Sequence, residues 1–200
     1  MKKRNFLIAL VATFGLIGSV NAQLDATLNL TGIYASNPQI GAEYAVSEQF
    51  GVGFDVGIPL GRYDITVTSG GNETETSWKR SGVMASLRAK YYFNPDQPTT
   101  GLYLAGYTRF RNFSFKDREI NGSSDPIEDL KNNRVSLGLG LGAKYIIADK
   151  FIVDVMAGGG YAVVRDNDLL DILSDDLPFF DSLESIDLYV RLAVGYRIFD

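Results

Sequence analysis

The sequence contains no cysteine and no histidine, and it has fewer basic residues than acidic ones. Without cysteine, the chain can form no disulfide, no thiolate metal site and no cysteine nucleophile. Without histidine, it can hold no Ser-His-Asp triad, no histidine-ligated zinc and no haem with a histidine axial ligand. The net charge of −5 argues against a nucleic-acid partner, because phosphate contacts need a basic surface. These absences rule out much catalytic chemistry, and the composition indicates a compartment and a fold more than an activity.

The chain also lacks a hydrophobic run long enough for a transmembrane helix, which needs about 20 apolar residues. An apolar run at 6–17 follows a basic Lys-Lys-Arg start and precedes the small-residue sequence Val-Asn-Ala at 20–22. These three regions are typical of a secretory signal peptide. We predict a signal peptide at 1–22, which is removed by cleavage, and one mature domain at 23–200.

Eight segments of the mature chain alternate apolar and polar residues with a period of two. Such alternation is typical of β-strands whose two faces meet different surroundings. The segments are residues 24–34, 40–46, 50–58, 83–93, 102–110, 134–147, 151–163 and 186–198. In the fifth segment both faces carry bulky residues, and we assign Leu102, Leu104 and Phe110 to the apolar face, with Tyr103, Tyr107 and Arg109 opposite.

Short turns alternate with longer polar loops along the chain. The short turns are 47–49, 94–100 and 148–150, and the longer loops are about 60–80, 114–133 and 165–185. The connection at 35–39 is short and breaks this trend. Strands joined in this way form an up-and-down antiparallel sheet with all the short turns at one end, which is the pattern of outer-membrane barrels.

The apolar face carries more large side chains than the interior of an eight-stranded barrel can hold, so it should face lipid. Aromatic residues at the strand ends predict one interfacial girdle of Phe50, Tyr91, Phe93, Tyr145, Phe151 and Tyr196, and a second of Tyr34, Phe110 and Tyr161. The sequence therefore predicts an all-β protein, an eight-stranded antiparallel up-and-down transmembrane β-barrel. The alternative is a soluble secreted, lipocalin-like ligand-binding barrel with its apolar face inside.

The chain resembles the small outer-membrane β-barrel domain family, the OmpX/OmpA-like, porin-family eight-stranded barrels of Gram-negative bacteria. The resemblance covers nearly the whole mature chain: the signal sequence ending at Ala22, the alternating strands and the last strand at 188–199. It implies location in the cell outer membrane, contact with outer-membrane lipid, and recognition of the last strand by the barrel-assembly machinery during biogenesis. The sequence departs from the family pattern because Asp200 follows Phe199, which is out of phase with Tyr196.

The polar face of the predicted strands carries charges that would line the lumen. They are Asp25, Glu43, Asp55, Arg88, Lys90, Arg109, Arg134, Lys144, Asp154, Asp187, Arg191 and Arg197. Unpaired charges in a tight interior are costly, so we expect them to form a salt-bridged plug that holds the barrel shut. The alternatives are a narrow ion path along a net positive wall, and acid–base chemistry by paired carboxylates, for which no nucleophile stands at a useful spacing.

The last predicted loop is strongly acidic, with eight acidic residues and no cation between 166 and 187. Its leucines and phenylalanines recur at spacings of three and four, which predicts one or two helical turns. We interpret it as a solvated loop whose apolar side folds over the barrel mouth. The alternative is a docking surface for an unknown protein partner or a divalent cation, without EF-hand spacing. Candidate partner-binding residues are Asp168, Asp171, Asp175, Asp176, Phe179 and Phe180.

The predicted function is that of a non-enzymatic outer-membrane barrel with a structural or binding role through its exposed loops. The first alternative is a small porin-like channel, and the second is the soluble barrel described above. A lipid-modifying enzyme ranks below these, because known outer-membrane acyl hydrolases and acyltransferases of this size use a catalytic histidine and this sequence has none. No catalytic, cofactor-binding or metal-ligating residue is predicted.

Overall fold

The computed structural model describes residues 23–69, 72–120, 123–124, 130–167 and 185–199, so the predicted signal peptide lies outside it. Its strands are β1 Leu24–Asn29, β2 Gln39–Ala45, β3 Phe50–Gly57, β4 Arg62–Ser69, β5 Asn72–Tyr92, β6 Gly101–Ile120, β7 Ser123–Ser124, β8 Leu130–Ile147, β9 Phe151–Asn167 and β10 Ile186–Phe199. A short helix, α1 Leu30–Tyr34, follows β1. Among the residues described, no helix has the length and apolar content needed to cross a bilayer.

Eight of these strands close into a barrel. The order around the wall is β5, β3, β2, β1, β10, β9, β8 and β6, and β6 pairs again with β5. Each of these pairings is antiparallel, including that of the first strand with the last. The predicted eight-stranded up-and-down barrel is therefore confirmed. We call the end with the turns at 46–49, 93–100 and 148–150 the inner end, and the opposite end the outer end.

The alternation of residues divides the wall into an apolar outside and a polar inside. In β6, Leu102 is 62% exposed and Leu104 is 40% exposed, whereas Tyr103 and Tyr107 are buried. This assignment agrees with the faces predicted for that ambiguous segment. Because the apolar residues cover the outside, the barrel has the surface that a bilayer requires.

Glycines on the inner face of β8 make room for tyrosine rings from the neighbouring strand. A methyl group added at Gly138 would overlap the ring of Tyr107, and one added at Gly142 would overlap the ring of Tyr103. The two tyrosines occupy the space above those glycines and are themselves buried. The lumen on this side of the barrel is therefore filled by aromatic side chains.

The first strand is shorter than the predicted segment 24–34, because the chain leaves the sheet after Asn29. The Asn29 side chain accepts hydrogen bonds from the Gly32 amide at 3.2 Å and from the Thr31 hydroxyl at 2.6 Å. It thus caps the N-terminus of α1 in the manner that asparagine favours. The prediction of a strand reaching Tyr34 is wrong for this reason.

Two predicted loops are largely strand at the outer end. The segment at 60–80 forms a hairpin in which β4 pairs with the first part of β5, from Arg62 with Lys79 to Ser69 with Asn72. Similarly, β6 continues to Ile120 and β8 begins at Leu130, within the predicted loop at 114–133. Main-chain hydrogen bonds hold neighbouring strands together whatever side chains they carry, so the pairing continues into these polar segments.

The barrel wall is much taller on one side than on the other. Strands β1, β2 and β3 have 6, 7 and 8 residues, whereas β5, β6, β8 and β9 have 21, 20, 18 and 17. Consequently β10 pairs with β1 only from Ala193 onward. Above that point the Thr31 hydroxyl of α1 accepts a hydrogen bond from the Leu192 amide at 3.4 Å and lies 3.2 Å from the Val190 carbonyl.

Candidate functional site

The inner end of the lumen is filled by a group of ion pairs between strands that are far apart in the chain. Lys144 of β8 donates to Asp25 of β1 at 2.8 Å and to Glu43 of β2 at 2.6 Å. Arg197 of β10 donates through Nε to the other oxygen of Asp25 at 2.8 Å. The alternation of each strand turns these side chains inward, and closure of the barrel brings them together.

Lys90 and Arg191 continue the ion pairs toward the middle of the lumen. Lys90 of β5 bridges Glu43 at 2.6 Å and Asp154 of β9 at 2.7 Å. Arg191 of β10 then links Asp154 at 2.5 Å to Asp55 of β3 at 3.3 Å. The chain of contacts therefore crosses the lumen repeatedly and ties strands on all sides of the barrel.

Asp55 is also the partner of a second arginine. Arg88 of β5 donates through Nη1 to Asp55 Oδ2, and the same nitrogen lies 2.9 Å from the Ser86 hydroxyl and 3.3 Å from the Tyr189 hydroxyl. The Arg88 and Asp55 side chains are each 1% exposed. Charge-assisted hydrogen bonds of this kind are the stronger ones in proteins, because at least one partner is ionised.

Tyrosines complete the hydrogen bonding of two carboxylates. The Tyr92 hydroxyl donates to Glu43 at 2.6 Å, and the Tyr103 hydroxyl donates to Asp154 at 2.6 Å. Lys90 Nζ lies 4.3 Å from the centre of the Tyr103 ring, which suits a cation–π contact. The carboxylate oxygens thus have neutral donors as well as cations around them.

The turn at 93–100 folds across the inner end of the lumen. Its Thr99 hydroxyl accepts a hydrogen bond from Lys144 at 3.2 Å, and its Pro98 carbonyl accepts one from Arg197 at 3.2 Å. Thr99 is 1% exposed. This turn therefore covers the ion pairs and joins the same hydrogen-bonded group.

We call these nine charged residues the buried charge network. Its members are Asp25, Glu43, Asp55, Arg88, Lys90, Lys144, Asp154, Arg191 and Arg197. It contains four carboxylates and five cations, and none of the side chains is more than 5% exposed. Because each carboxylate contacts at least two donors, the cost of burying its charge is offset by hydrogen bonds and ion pairs.

The outer end of the lumen has a different balance of charge. Arg109 donates to both oxygens of Asp187 at 3.1 Å, and Arg111 donates to one of them at 2.6 Å. Arg134 donates to the Ser136 hydroxyl at 3.3 Å and to the Ile186 carbonyl at 2.6 Å, both of which are uncharged. Among the described residues, the inner end of the lumen therefore has a nearly balanced network of charges, and the outer end has more cations than carboxylates.

Of the twelve charged residues predicted for the lumen, eleven are buried and Arg134 is half-buried. Sequence reasoning missed Arg111, because the segment predicted as a strand ended one residue before it. It also did not connect Tyr92 and Tyr103 with the carboxylates.

Within the described ranges no three acidic side chains come together as a metal site. The six candidate partner-binding residues of the last loop lie outside those ranges.

The closed wall, the apolar outside and the charged interior define an integral membrane β-barrel. The sequence profile of the family described as outer membrane protein beta-barrel domain matches residues 10–176, and the chain belongs to that family. It is thus an outer-membrane β-barrel protein.

Three solved structures are similar to this chain over nearly their full length. The N-terminal β-barrel domain of OprF from Pseudomonas aeruginosa has 16% identity and a TM-score of 0.45, covering 88% of this chain and 96% of that one. Neisserial surface protein A has 15% identity and a TM-score of 0.41, covering 88% and 94%. The attachment invasion locus protein Ail of Yersinia pestis has 12% identity and a TM-score of 0.44, covering 90% and 100%. A comparison with curated protein sequences gives no significant match.

Proposed function

We propose that this protein is a closed, non-catalytic outer-membrane barrel that supports a binding surface at its outer end. The observation that carries this proposal is the buried charge network, which fills the inner and middle parts of the lumen. Every carboxylate in it is engaged by cations at hydrogen-bonding distance. We infer that carboxylates held in this way do not act as general acids or bases, and that the ion pairs block the passage of solutes.

Conductance in planar lipid bilayers tests the closed barrel against the small channel. We expect no regular conductance steps from the refolded wild-type protein. A double variant, Lys90→Ser with Asp154→Ser, removes the central bridge of the network and should produce steps. Regular steps from the wild-type protein would favour the channel and overturn this proposal.

The proposed binding role rests on the height of the wall at the outer end and on the acidic segment that follows β9. The strands β5, β6, β8 and β9 extend beyond β1, β2 and β3 at that end, and rigid strands of this kind are a common scaffold for binding loops. A co-precipitation from cells that display the full-length protein tests this role. A variant in which Phe179 and Phe180 are both replaced by serine should lose the captured protein, whereas Ile33→Ser on α1 should retain it. Equal capture by both variants would count against a role for the last loop.

We also propose that export removes residues 1–22, that the last strand engages the assembly machinery and that membrane lipid surrounds the folded barrel. The first described strand begins at Leu24, two residues after the predicted cleavage site. Intact mass and N-terminal sequencing of protein from the outer-membrane fraction should give a chain that begins at Gln23. A chain that retains the basic start would contradict cleavage without affecting the fold.

A further inference from the structure

Three arginines lie near one carboxylate at the outer end of the lumen, and two of them bind it. Asp187 accepts hydrogen bonds from Arg109 and Arg111, while Arg134 donates only to uncharged oxygens. The Asp187 side chain is 2% exposed and that of Arg109 is 10% exposed. Within the described part of the chain, this group therefore carries two more positive charges than negative ones.

The strand register places further positive charge beside this group. Arg111 of β6 is the direct cross-strand neighbour of Arg134 of β8, and Arg134 is in turn the direct neighbour of Arg165 of β9. Like charges directly opposite each other on neighbouring strands destabilise a sheet. Arg165 has partners of its own, among them the Ser185 hydroxyl at 3.1 Å, so the like charges that still call for a negative partner are those of Arg111 and Arg134.

The arginines also retain hydrogen-bond donors that nothing in the described residues accepts. The Nε atoms of Arg109 and Arg111 are buried without a partner. Asp187 engages only Nη1 of Arg109 and Nη2 of Arg111, and Arg134 bonds only through Nε and Nη2. Among the described residues, no acceptor therefore engages one terminal nitrogen of each guanidinium, and that nitrogen can donate to a ligand.

We propose that Arg109, Arg111 and Arg134 form a binding site for a phosphate group at the outer mouth of the barrel. A phosphate monoester carries a charge of about −1.5 to −2 at neutral pH, which matches the excess of two positive charges on the described residues of this group. Its oxygens suit the planar fork of donors that each guanidinium presents. The phosphate belongs either to a small molecule in solution or to a lipid headgroup of the outer leaflet. The site does not depend on whether the loops bind a protein partner.

Calorimetric titration of inorganic phosphate into the mature protein, refolded in uncharged maltoside micelles, tests the site. The double variant Arg111→Gln with Arg134→Gln should bind phosphate at least about tenfold more weakly than wild type, because it loses two charge-assisted contacts. The control Lys150→Gln makes a cation neutral at the inner end and should bind as wild type does. Asp187→Asn releases the nitrogens that the carboxylate holds and should tighten binding. A wild-type protein that binds no phosphate, or a double variant that binds as well as Lys150→Gln, would overturn the proposal.

A second titration in lipid nanodiscs distinguishes the two sources of phosphate. Phosphatidylcholine nanodiscs are compared with nanodiscs that also contain phosphatidic acid. If a lipid headgroup occupies the site, phosphatidic acid should weaken the apparent affinity for inorganic phosphate in the wild-type protein. Equal affinity in both nanodiscs would assign the site to a phosphate compound that arrives from solution.

Discussion

Replacing Asp154 by asparagine removes one charge from the centre of the buried charge network and changes the shape of the side chain very little. Asp154 accepts hydrogen bonds from Lys90 at 2.7 Å, Arg191 at 2.5 Å and Tyr103 at 2.6 Å. The asparagine can keep the bond from the tyrosine. Each of the two cations loses one carboxylate and retains one other.

The structure sets the size of the expected effect. The substitution changes the network from four carboxylates and five cations to three and five. Removing one partner of a buried ion pair costs about 3–5 kcal/mol. Because each cation keeps a second carboxylate, we expect a loss of about 3 kcal/mol in the free energy of unfolding, near the lower end of that range. Adding Lys90→Met removes one of the stranded cations, so the double variant should be about 1–3 kcal/mol more stable than the sum of the single effects predicts.

Equilibrium urea unfolding in lipid vesicles, followed by circular dichroism, measures these free energies. The control Asp149→Asn removes the same charge from an exposed turn, where the residue has a φ of 65° that asparagine tolerates. Its effect should stay within about 0.5 kcal/mol. If Asp154→Asn is as stable as this control, or if the double variant is strictly additive, the network does not stabilise the barrel as argued.

Other substitutions test the wall and α1. Gly142→Leu should abolish folding, because the new side chain would overlap the ring of Tyr103. Gly159→Ala should fold, because an added methyl group there meets nothing within 4 Å. The heat-dependent shift of the folded band on a detergent gel distinguishes the two outcomes. On the lipid face, Leu141→Arg near the middle of the exposed row of β8 should cost about 2–4 kcal/mol, and Tyr145→Arg near the inner end about 0–1 kcal/mol, in the same unfolding assay. Asn29→Ala should cost about 1 kcal/mol by removing the cap of α1, and no loss would show that the cap is unimportant.

Alternation along the strands was sufficient to predict which residues face lipid and which face the lumen. A residue in a closed barrel wall has only these two surroundings, and its position in the alternation selects one of them. The ion-pair partners were beyond this reasoning. Lys144 meets Asp25 across 119 positions of the chain, and that meeting depends on the register and closure of the whole barrel. Alternation alone specifies neither.

The errors in strand length have two physical causes. The predicted first strand ran on through α1, although Asn29 followed by Thr31 and Gly32 is a possible helix cap that the sequence displays. The hairpin of β4 and β5 was taken for a loop because its residues are polar. Yet Ile65 and Val67 alternate with Thr66 and Thr68 there, which is the same period-two signal in a more polar segment.

Of the eight barrel strands, β1, which closes the barrel by pairing with the last strand, has the fewest residue pairs with its neighbours. β1 has six residue pairs with β2 and six with β10, whereas β8 and β9 share sixteen. Local opening of a sheet begins where the fewest main-chain bonds must break together. Under a pulling force applied at the outer rim, we expect the strand pairs of β1 to separate first. The longer strands β5, β6, β8 and β9 should then stay paired with one another.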